Sequence, residues 1–345
     1  MNRSEIRVKL GAVDANVRRL RQIADGSELW AVVKGNAYGH GALDIARTSI
    51  DAGATALCVA TMREGIELRK HLAAARIIVL GPAVGPDVRY LSEHSLEQVA
   101  ATAEAYAAIP SDVPVHIKLN TGMNRWGFTD MPTVRSNVVG VMSQFAAAGR
   151  DEKRSREQLV LFNARRAPYP ELTAHVANSA ATLLFPDSHL DAVRCGATVV
   201  GLSPFGDDPG SYGLRPAMRW TSYVAQVIDV KAGDWVGYGA YYECTHATRI
   251  GIIPVGYADG FRRDMTGTSV LVGDDLCPVV GAVSMDAVAV AARKCAVGDP
   301  VILVGDGVLL EDHAQVAGTM SLEIACHIRS DATRASRIVI EGDAD

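Results

Sequence analysis

At 345 residues, with 48% hydrophobic residues and a net charge of -5, the chain can bury a large core and has room for about two domains. This balance excludes a disordered protein and leaves no basic footprint for nucleic acid or an anionic membrane surface. The expected partners are small molecules or a second copy of the chain.

The amino-terminal stretch "MNRSEIRVKLGAV" lacks the apolar core of a secretory signal, and no apolar run reaches the length of a membrane span, so a cytoplasmic address is expected. "EIRVKL" within it reads as a strand able to join a later domain. From residue 30 to about 200, short apolar runs recur with helical stretches between most of them: "WAVVK" (30–34), "ALCVA" (56–60), "RIIVL" (76–80), "EQVAAT" (97–102), "VHIKL" (115–119), "VVGVM" (138–142), "LTAHV" (172–176) and "AVRCG" (192–196). Eight buried strands alternating with helices predict an α/β fold, a (β/α)8 barrel over residues 1–213. After "GDDPGSYGLRP" the texture changes to β-branched runs separated by Gly and Asp turns, which predicts a mostly β domain over residues 214–345. The six cysteines, Cys58, Cys195, Cys244, Cys277, Cys295 and Cys326, show no metal or redox spacing and are expected to be core residues; no metal site is expected.

In a barrel of this kind, chemistry sits at the C-terminal ends of the strands. Lys34 closes the first predicted strand, Lys118 and Asn120 the fifth; Gln144 follows the sixth, His175, Asn178 and Ser179 close the seventh, and Arg194 ends the eighth. A partly desolvated lysine at such a place can act as an amine nucleophile toward a carbonyl. Gly35, Ala37 and Gly39 after it leave room for a flat cofactor. Tyr38, Ser179 and the backbone amides at Gly196 and Ala197 offer donors for a phosphate, and Arg125 in "KLNTGMNRWGF" offers a fork for a carboxylate. Together these residues describe an amino-acid site built around pyridoxal phosphate.

The motifs "VVKGNAYGHG", "KLNTGMNRWGF", "HVANSAATL", "VRCGATVVGLSP", "VGYGAYY", "IPVGYADGF" and "GAVSMDAVAV" occur in the order and approximate spacing of the alanine racemases, which the chain resembles over nearly its whole length. The resemblance implies a dimeric, pyridoxal-phosphate-dependent enzyme that interconverts L- and D-alanine with two bases. It makes Lys34 the cofactor-bearing base and Tyr238 the second base, supplied by the β domain of the partner subunit. It sets Arg194 against the pyridine nitrogen, and matches Tyr38, Ser179, Gly196 and Ala197 to phosphate contacts, with Asn178 beside them. Arg125 and Met285 match the substrate-carboxylate site, with Asp286 adjacent, and Lys118 matches a lysine that is carbamylated in some members. Racemisation removes the Cα proton on one face and returns one on the other, so two flanking bases make chemical sense.

Three positions depart from the family pattern. Gln144 stands where most members have a histidine, Asn120 replaces an aspartate, and Ser330 aligns with a tyrosine that walls the pocket. A smaller, more polar wall extends the expected substrates from alanine to serine and other small amino acids. Aldol cleavage of a β-hydroxy amino acid on the same scaffold, and a non-catalytic carrier of pyridoxal phosphate, stand as alternatives.

Overall fold

The computed structural model describes residues 3–83 and 85–342. The chain opens with strand β1 (Glu5–Lys9), whose alternating burial marks one face turned to a core. Eight strands follow: β2 (Glu28–Val32), β3 (Ala56–Val59), β4 (Ile77–Val79), β5 (Glu97–Ala100), β6 (Val115–Lys118), β7 (Val138–Met142), β8 (Thr173–His175) and β9 (Ala192–Cys195). They pair in parallel in the order β8-β7-β6-β5-β4-β3-β2-β9. "ALCV" and "IIV" are buried throughout, as expected of strands covered on both faces. Between the two ends of this sheet, Asp191 N donates to Ala174 O at 3.1 Å and Arg194 N to Ala177 O at 3.0 Å, which nearly closes an eight-stranded parallel barrel. Seven of the eight runs read from the sequence hold one of these strands, and the first, 30–34, overlaps β2, which begins two residues earlier.

Several helices between the strands begin on side-chain caps. Thr61 and Glu64 form a reciprocal capping box at the start of helix Met62–Arg69, and Asp151 caps helix Glu152–Arg166.

The second unit is a nine-stranded sheet of β1 with β10 (Met218–Tyr223), β11 (Gln226–Val230), β12 (Thr248–Ile253), β13 (Ser269–Val272), β14 (Asp275–Val280), β15 (Val288–Ala291), β16 (Pro300–Val304) and β17 (Ser336–Ile340). Its order is β11-β12-β15-β14-β13-β16-β10-β1-β17, with β1 and β17 the single parallel pair. Two helices, Leu310–Ala317 and Ser321–His327, interrupt the β texture near its end.

The barrel unit comprises Val13–Ala37 and Gly41–Val199; the β-rich unit comprises Tyr38–His40 and the described parts of Met1–Ala12 and Val200–Asp345. The division at 199/200 lies upstream of the 213/214 boundary expected from sequence, and strand "EIRVKL" belongs with the β sheet. Backbone bonding explains the earlier division: Ala217 N donates to Val200 O at 3.1 Å, and Lys9 N to Ala217 O at 2.8 Å. Five cysteines are buried and Cys326 is exposed. No helix among the described residues is long and apolar enough to cross a membrane.

Candidate active site

Strand β2 ends at Val32, so Lys34 lies two residues beyond it rather than closing it. It opens a turn wound in the left-handed sense: Gly35, Asn36, Ala37 and Tyr38 have φ of 60, 54, 51 and 55°. Each non-glycine residue held this way costs about 1–2 kcal/mol, so the turn exists because its surroundings enforce it. Ala37 N donates to Val33 O and Gly41 N to Asn36 O, both at 2.9 Å. The Asn36 side chain accepts from Ala42 N at 2.9 Å, and Gly35 N donates to Glu64 Oε1 at 2.7 Å. The other oxygen of Glu64 accepts from Ala60 N and Thr61 N, so one carboxylate ties the Lys34 turn to the loop after β3. Gly39, expected to leave room for a ligand, has a packing role instead: a Cβ there would sit 2.4 Å from the Ala325 carbonyl oxygen.

Lys34 lines a barrel cavity of about 640 Å³ together with Lys118, Arg125, Trp126, Gln144 and Arg194. Burial, then the positive charge of Arg125, lowers the Lys34 pKa below the ordinary lysine value; Glu64 opposes the shift. Burial also lowers Lys118, to about 8, with Arg194, Arg125 and Lys34 adding repulsion. Trp126 carries both neighbours on its ring, with Lys118 Nζ 5.5 Å and Arg125 Cζ 5.4 Å from the centroid. Lys34, Lys118, Arg125 and Arg194, with Arg63 also on the lining and Asp87 as a carboxylate there, leave the cavity net positive and able to draw anions, and a lysine of lowered pKa among them keeps a neutral, nucleophilic fraction.

Arg194 is the third residue of β9 and is buried. Its guanidinium donates to His175 Nδ1 and His175 O at 2.8 Å, to Ser143 O at 2.9 Å and to Gln144 Oε1 at 3.0 Å. All these acceptors are neutral, and burial lowers the Arg194 pKa to about 10. Gln144, where an imidazole is usual in the resembling family, thus supplies a neutral acceptor to the arginine. Asn120 serves its own loop: its Oδ1 accepts from Gly122 N at 3.1 Å and Asn124 N at 3.0 Å.

Asn178 and Ser179 follow β8, and the Asn178 side chain caps helix Ser179–Leu184 through Ala181 N at 3.0 Å. Asn178 bridges to Arg194, and Gly196 N donates to Ser179 Oγ at 3.0 Å, beside which Thr198 Oγ1 lies at 3.1 Å. The structure therefore gathers Asn178, Ser179, Gly196 and buried Ala197 into one corner after β8 and β9.

Tyr238, Met285, Asp286 and Ser330 belong to the β-rich unit, as does half-buried Tyr38. Tyr238 stands on a tight turn, Tyr238–Ala240, between segments joined by Val236 N to Tyr242 O at 3.0 Å, and its ring is 76% exposed. Met285 lies in the connection from β14 to β15. Its carbonyl accepts from Ala258 N at 3.0 Å, and Gly256 packs so closely there that a Cβ would meet Ser284 O at 2.3 Å. Asp286 pairs with Arg334 at 2.8 Å and Arg3 at 3.3 Å, and both arginines also reach the buried carboxylate of Asp259. Asp286 thus anchors the Met285 connection through ion pairs. Ser330 is partly buried, one residue after Arg329, whose N–H donates to Asp259 O at 2.9 Å.

The family model described as "Alanine racemase, N-terminal domain" matches residues 8–204, and "Alanine racemase, C-terminal domain" matches residues 217–336. The chain belongs to the alanine racemase family. The alanine racemase of Streptococcus gordonii is 33% identical, with 96% of this chain and 97% of that one covered; that of Levilactobacillus brevis is 36% identical, with 94% of each covered. Among solved structures, the alanine racemase of D-cycloserine-producing Streptomyces lavendulae superposes with a TM-score of 0.91 at 33% identity, covering 99% of this chain and 98% of that one. The alanine racemase of Bartonella henselae, solved with covalently bound pyridoxal phosphate, gives 0.90 at 26% identity and covers 99% of this chain and 100% of that one. The protein is an alanine racemase-type isomerase that interconverts L- and D-alanine.

The N-terminal racemase match spans the barrel residues of the site, and the C-terminal match spans Tyr238, Met285, Asp286 and Ser330. Sequence reading missed Glu64, the anchor of the Lys34 turn. Its signal was present as Thr61 and Glu64 three residues apart, a capping box whose carboxylate has oxygens to spare. Trp126 is a second such residue: "KLNTGMNRWGF" contains it, but nothing local signals the two cations its ring carries.

Proposed function

We propose that the racemisation runs on pyridoxal phosphate by a two-base mechanism, with Lys34 serving one face of the substrate Cα and Tyr238 the other. The observation that carries this reading is the lysine of lowered pKa on a cavity it shares with Arg125 and Arg194. The donor set fits the group. Lys34 offers the amine that would hold it, Arg194 a buried donor for its ring nitrogen, and Tyr38, Ser179 and the amides of Gly196 and Ala197 donors for its phosphate, with Asn178 bracing that corner. When bound, the cofactor supplies an electron-withdrawing ring conjugated to the substrate's α-carbon, which acidifies the Cα–H bond.

Arg125 holds the substrate carboxylate by two parallel hydrogen bonds, with Met285 beside it, and this fixes which face of Cα each base meets. The Lys34 amine takes the proton from one face while the Tyr238 phenol returns one to the other, and the roles exchange in the reverse direction. Each base is thus left in the protonation state that the opposite direction requires. Tyr238 and Met285 are 76% and 53% exposed, alongside Trp235 and Tyr241, a surface suited to a second copy of the chain. In this reading the enzyme is a cytoplasmic homodimer whose β-rich units complete the partner's barrel site.

Lys118 has a further part in this scheme. An amine pulled down to about 8 is partly neutral near physiological pH and can add carbon dioxide, releasing a proton and leaving a carbamate to pair with Arg125. That reaction relieves the four-cation cluster.

The test of the two bases is the first turnover of L- or D-alanine in deuterium oxide. Two bases put solvent deuterium at Cα of the product in both directions. Return of the substrate's own α-proton to the opposite face would contradict the reading.

A further inference from the structure

A line of polar groups runs from the partly buried Glu97 through two buried imidazoles to the buried Arg194, and the chemistry of its two ends determines every bond between them. At one end, the Glu97 carboxylate on the first residue of β5 receives Arg76 by two bonds, Nε to Oε1 at 2.7 Å and Nη2 to Oε2 at 3.0 Å. His116 Nε2 lies 2.8 Å from Glu97 Oε2, His116 Nδ1 lies 2.9 Å from His175 Nε2, and His175 Nδ1 lies 2.8 Å from Arg194 Nη1. Glu97 and His116 sit toward the N-terminal ends of their strands; His175 closes β8 at the end where Arg194 lines the cavity. Both imidazoles are fully buried.

A guanidinium can only donate, so His175 Nδ1 must accept. A neutral His175 then carries its proton on Nε2 and donates it to His116 Nδ1. His116 in turn carries its proton on Nε2, aimed at a carboxylate that can only accept. All three bonds therefore point one way, from Arg194 to Glu97, with both rings neutral. Burial lowers the pKa of both histidines, in agreement with neutral rings. The barrel is shaped for this line: a Cβ on Gly140 of β7 would fall 2.3 Å from His116 Nδ1, so only glycine admits the ring there.

We propose that Glu97 and His116 are positioning residues that act through His175 to hold Arg194 in place as an obligate donor at the wall of the racemase cavity. Arg194 is buried with only neutral acceptors around it, and the aligned imidazoles present it with a lone pair whose direction is set by a carboxylate two rings away. Reversing or breaking the line leaves a buried donor facing a donor. The assignment of Arg194 to the cofactor ring rests on the proposed mechanism; the one-way line of bonds does not.

Two measurements test this. In the holoenzyme as purified, imidazole nitrogen shifts from ¹⁵N-histidine labelling should show both rings protonated at Nε2, bare at Nδ1, and unchanged between about pH 6 and 9. A proton on either Nδ1, or a ring that titrates in that window, overturns the proposal whatever the enzyme's activity. The second measurement is a substitution series. Gln at position 116 presents a donor and an acceptor at a span close to that of the ring nitrogens, so His116→Gln should stay within about threefold of wild-type kcat. His116→Phe, and Glu97→Gln to a smaller degree, should lose roughly tenfold or more, the scale of one unsatisfied buried hydrogen bond, with KM for alanine nearly unchanged. Equal losses in His116→Gln and His116→Phe, or full kcat in His116→Phe, would overturn it. Nε2-protonated rings beside return of the substrate's own α-proton to the opposite face would instead count against the proposed mechanism alone.

Discussion

In the barrel, Arg194, His175 and Lys118 are buried, held by fixed partners or crowded by like charge, and shifted in pKa as a result. In the β-rich unit, Tyr238 and Met285 stand 76% and 53% exposed on connections held by backbone bonds and, beside Met285, by the ion pairs of Asp286. Barrel groups are tuned by the unit that carries them. The groups of the β-rich unit are presented on a surface and take their environment from whatever meets it, which in the proposed assembly is a second copy. Substitutions should therefore behave differently in the two regions.

The largest effect is expected at the two bases. Lys34→Ala and Tyr238→Phe should each lower kcat for alanine by roughly 10²–10⁴ in both directions, the usual worth of a positioned acid or base. Only Tyr238→Phe should leave the melting temperature nearly unchanged, because it removes a single hydroxyl from a turn held by backbone bonds. A parallel fall in stability and activity for Tyr238→Phe would erase the contrast between the regions. Borohydride reduction of the holoenzyme should label Lys34, and labelling of another lysine would contradict its role.

A smaller effect, in stability, is expected at Lys118. Its pKa of about 8 in the folded protein lies below the ordinary lysine value of about 10.4. Between those values the unfolded chain holds the proton and the folded chain does not, so this group makes stability rise with pH across that window, and its cost is fully present below it. In buffer free of carbon dioxide, Lys118→Met should therefore raise the melting temperature at pH 7 and lose that advantage by about pH 10. Bicarbonate should stabilise the wild type and leave Lys118→Met unmoved. A melting temperature lowered by the substitution in carbon dioxide-free buffer at pH 7 would contradict the repulsive cluster.

The barrel architecture was legible because eight short apolar runs lay between mostly helical stretches, and each run overlaps one of the eight strands. The chemistry of Lys34 was legible as well, since an ammonium after a buried strand demands a use. Its conformation was not: a left-handed turn of four residues, three of them not glycine, depends on a Glu64 carboxylate 29 positions beyond Gly35, and no local pattern encodes that contact. The line from Glu97 to Arg194 was hidden for the same reason. Glu97 and His116 read as ordinary strand residues until the barrel brings β5, β6, β8 and β9 into one interior. Asp286 was expected with Met285 at the substrate site; that it also forms an ion pair with Arg334, 48 residues further along, no local pattern encodes.

The smallest effect concerns substrate range. If Ser330 walls the pocket, Ser330→Tyr should lower kcat/KM for serine relative to alanine by about 1–3 kcal/mol in discrimination. Equal changes for both substrates would remove Ser330 from the pocket while leaving the bases untouched.

The division of labour between the two regions is tested most directly by complementation. Lys34→Ala chains carry an intact Tyr238, and Tyr238→Phe chains an intact Lys34. If each site takes its lysine from one chain and its tyrosine from the other, a mixed dimer contains one site with both bases. Random exchange of equal amounts should then restore roughly a quarter of wild-type activity, since half of the dimers are mixed and each has one complete site. Recovery on that scale is the result expected. Proven exchange of subunits with no activity beyond the two parent variants would contradict a site shared between copies.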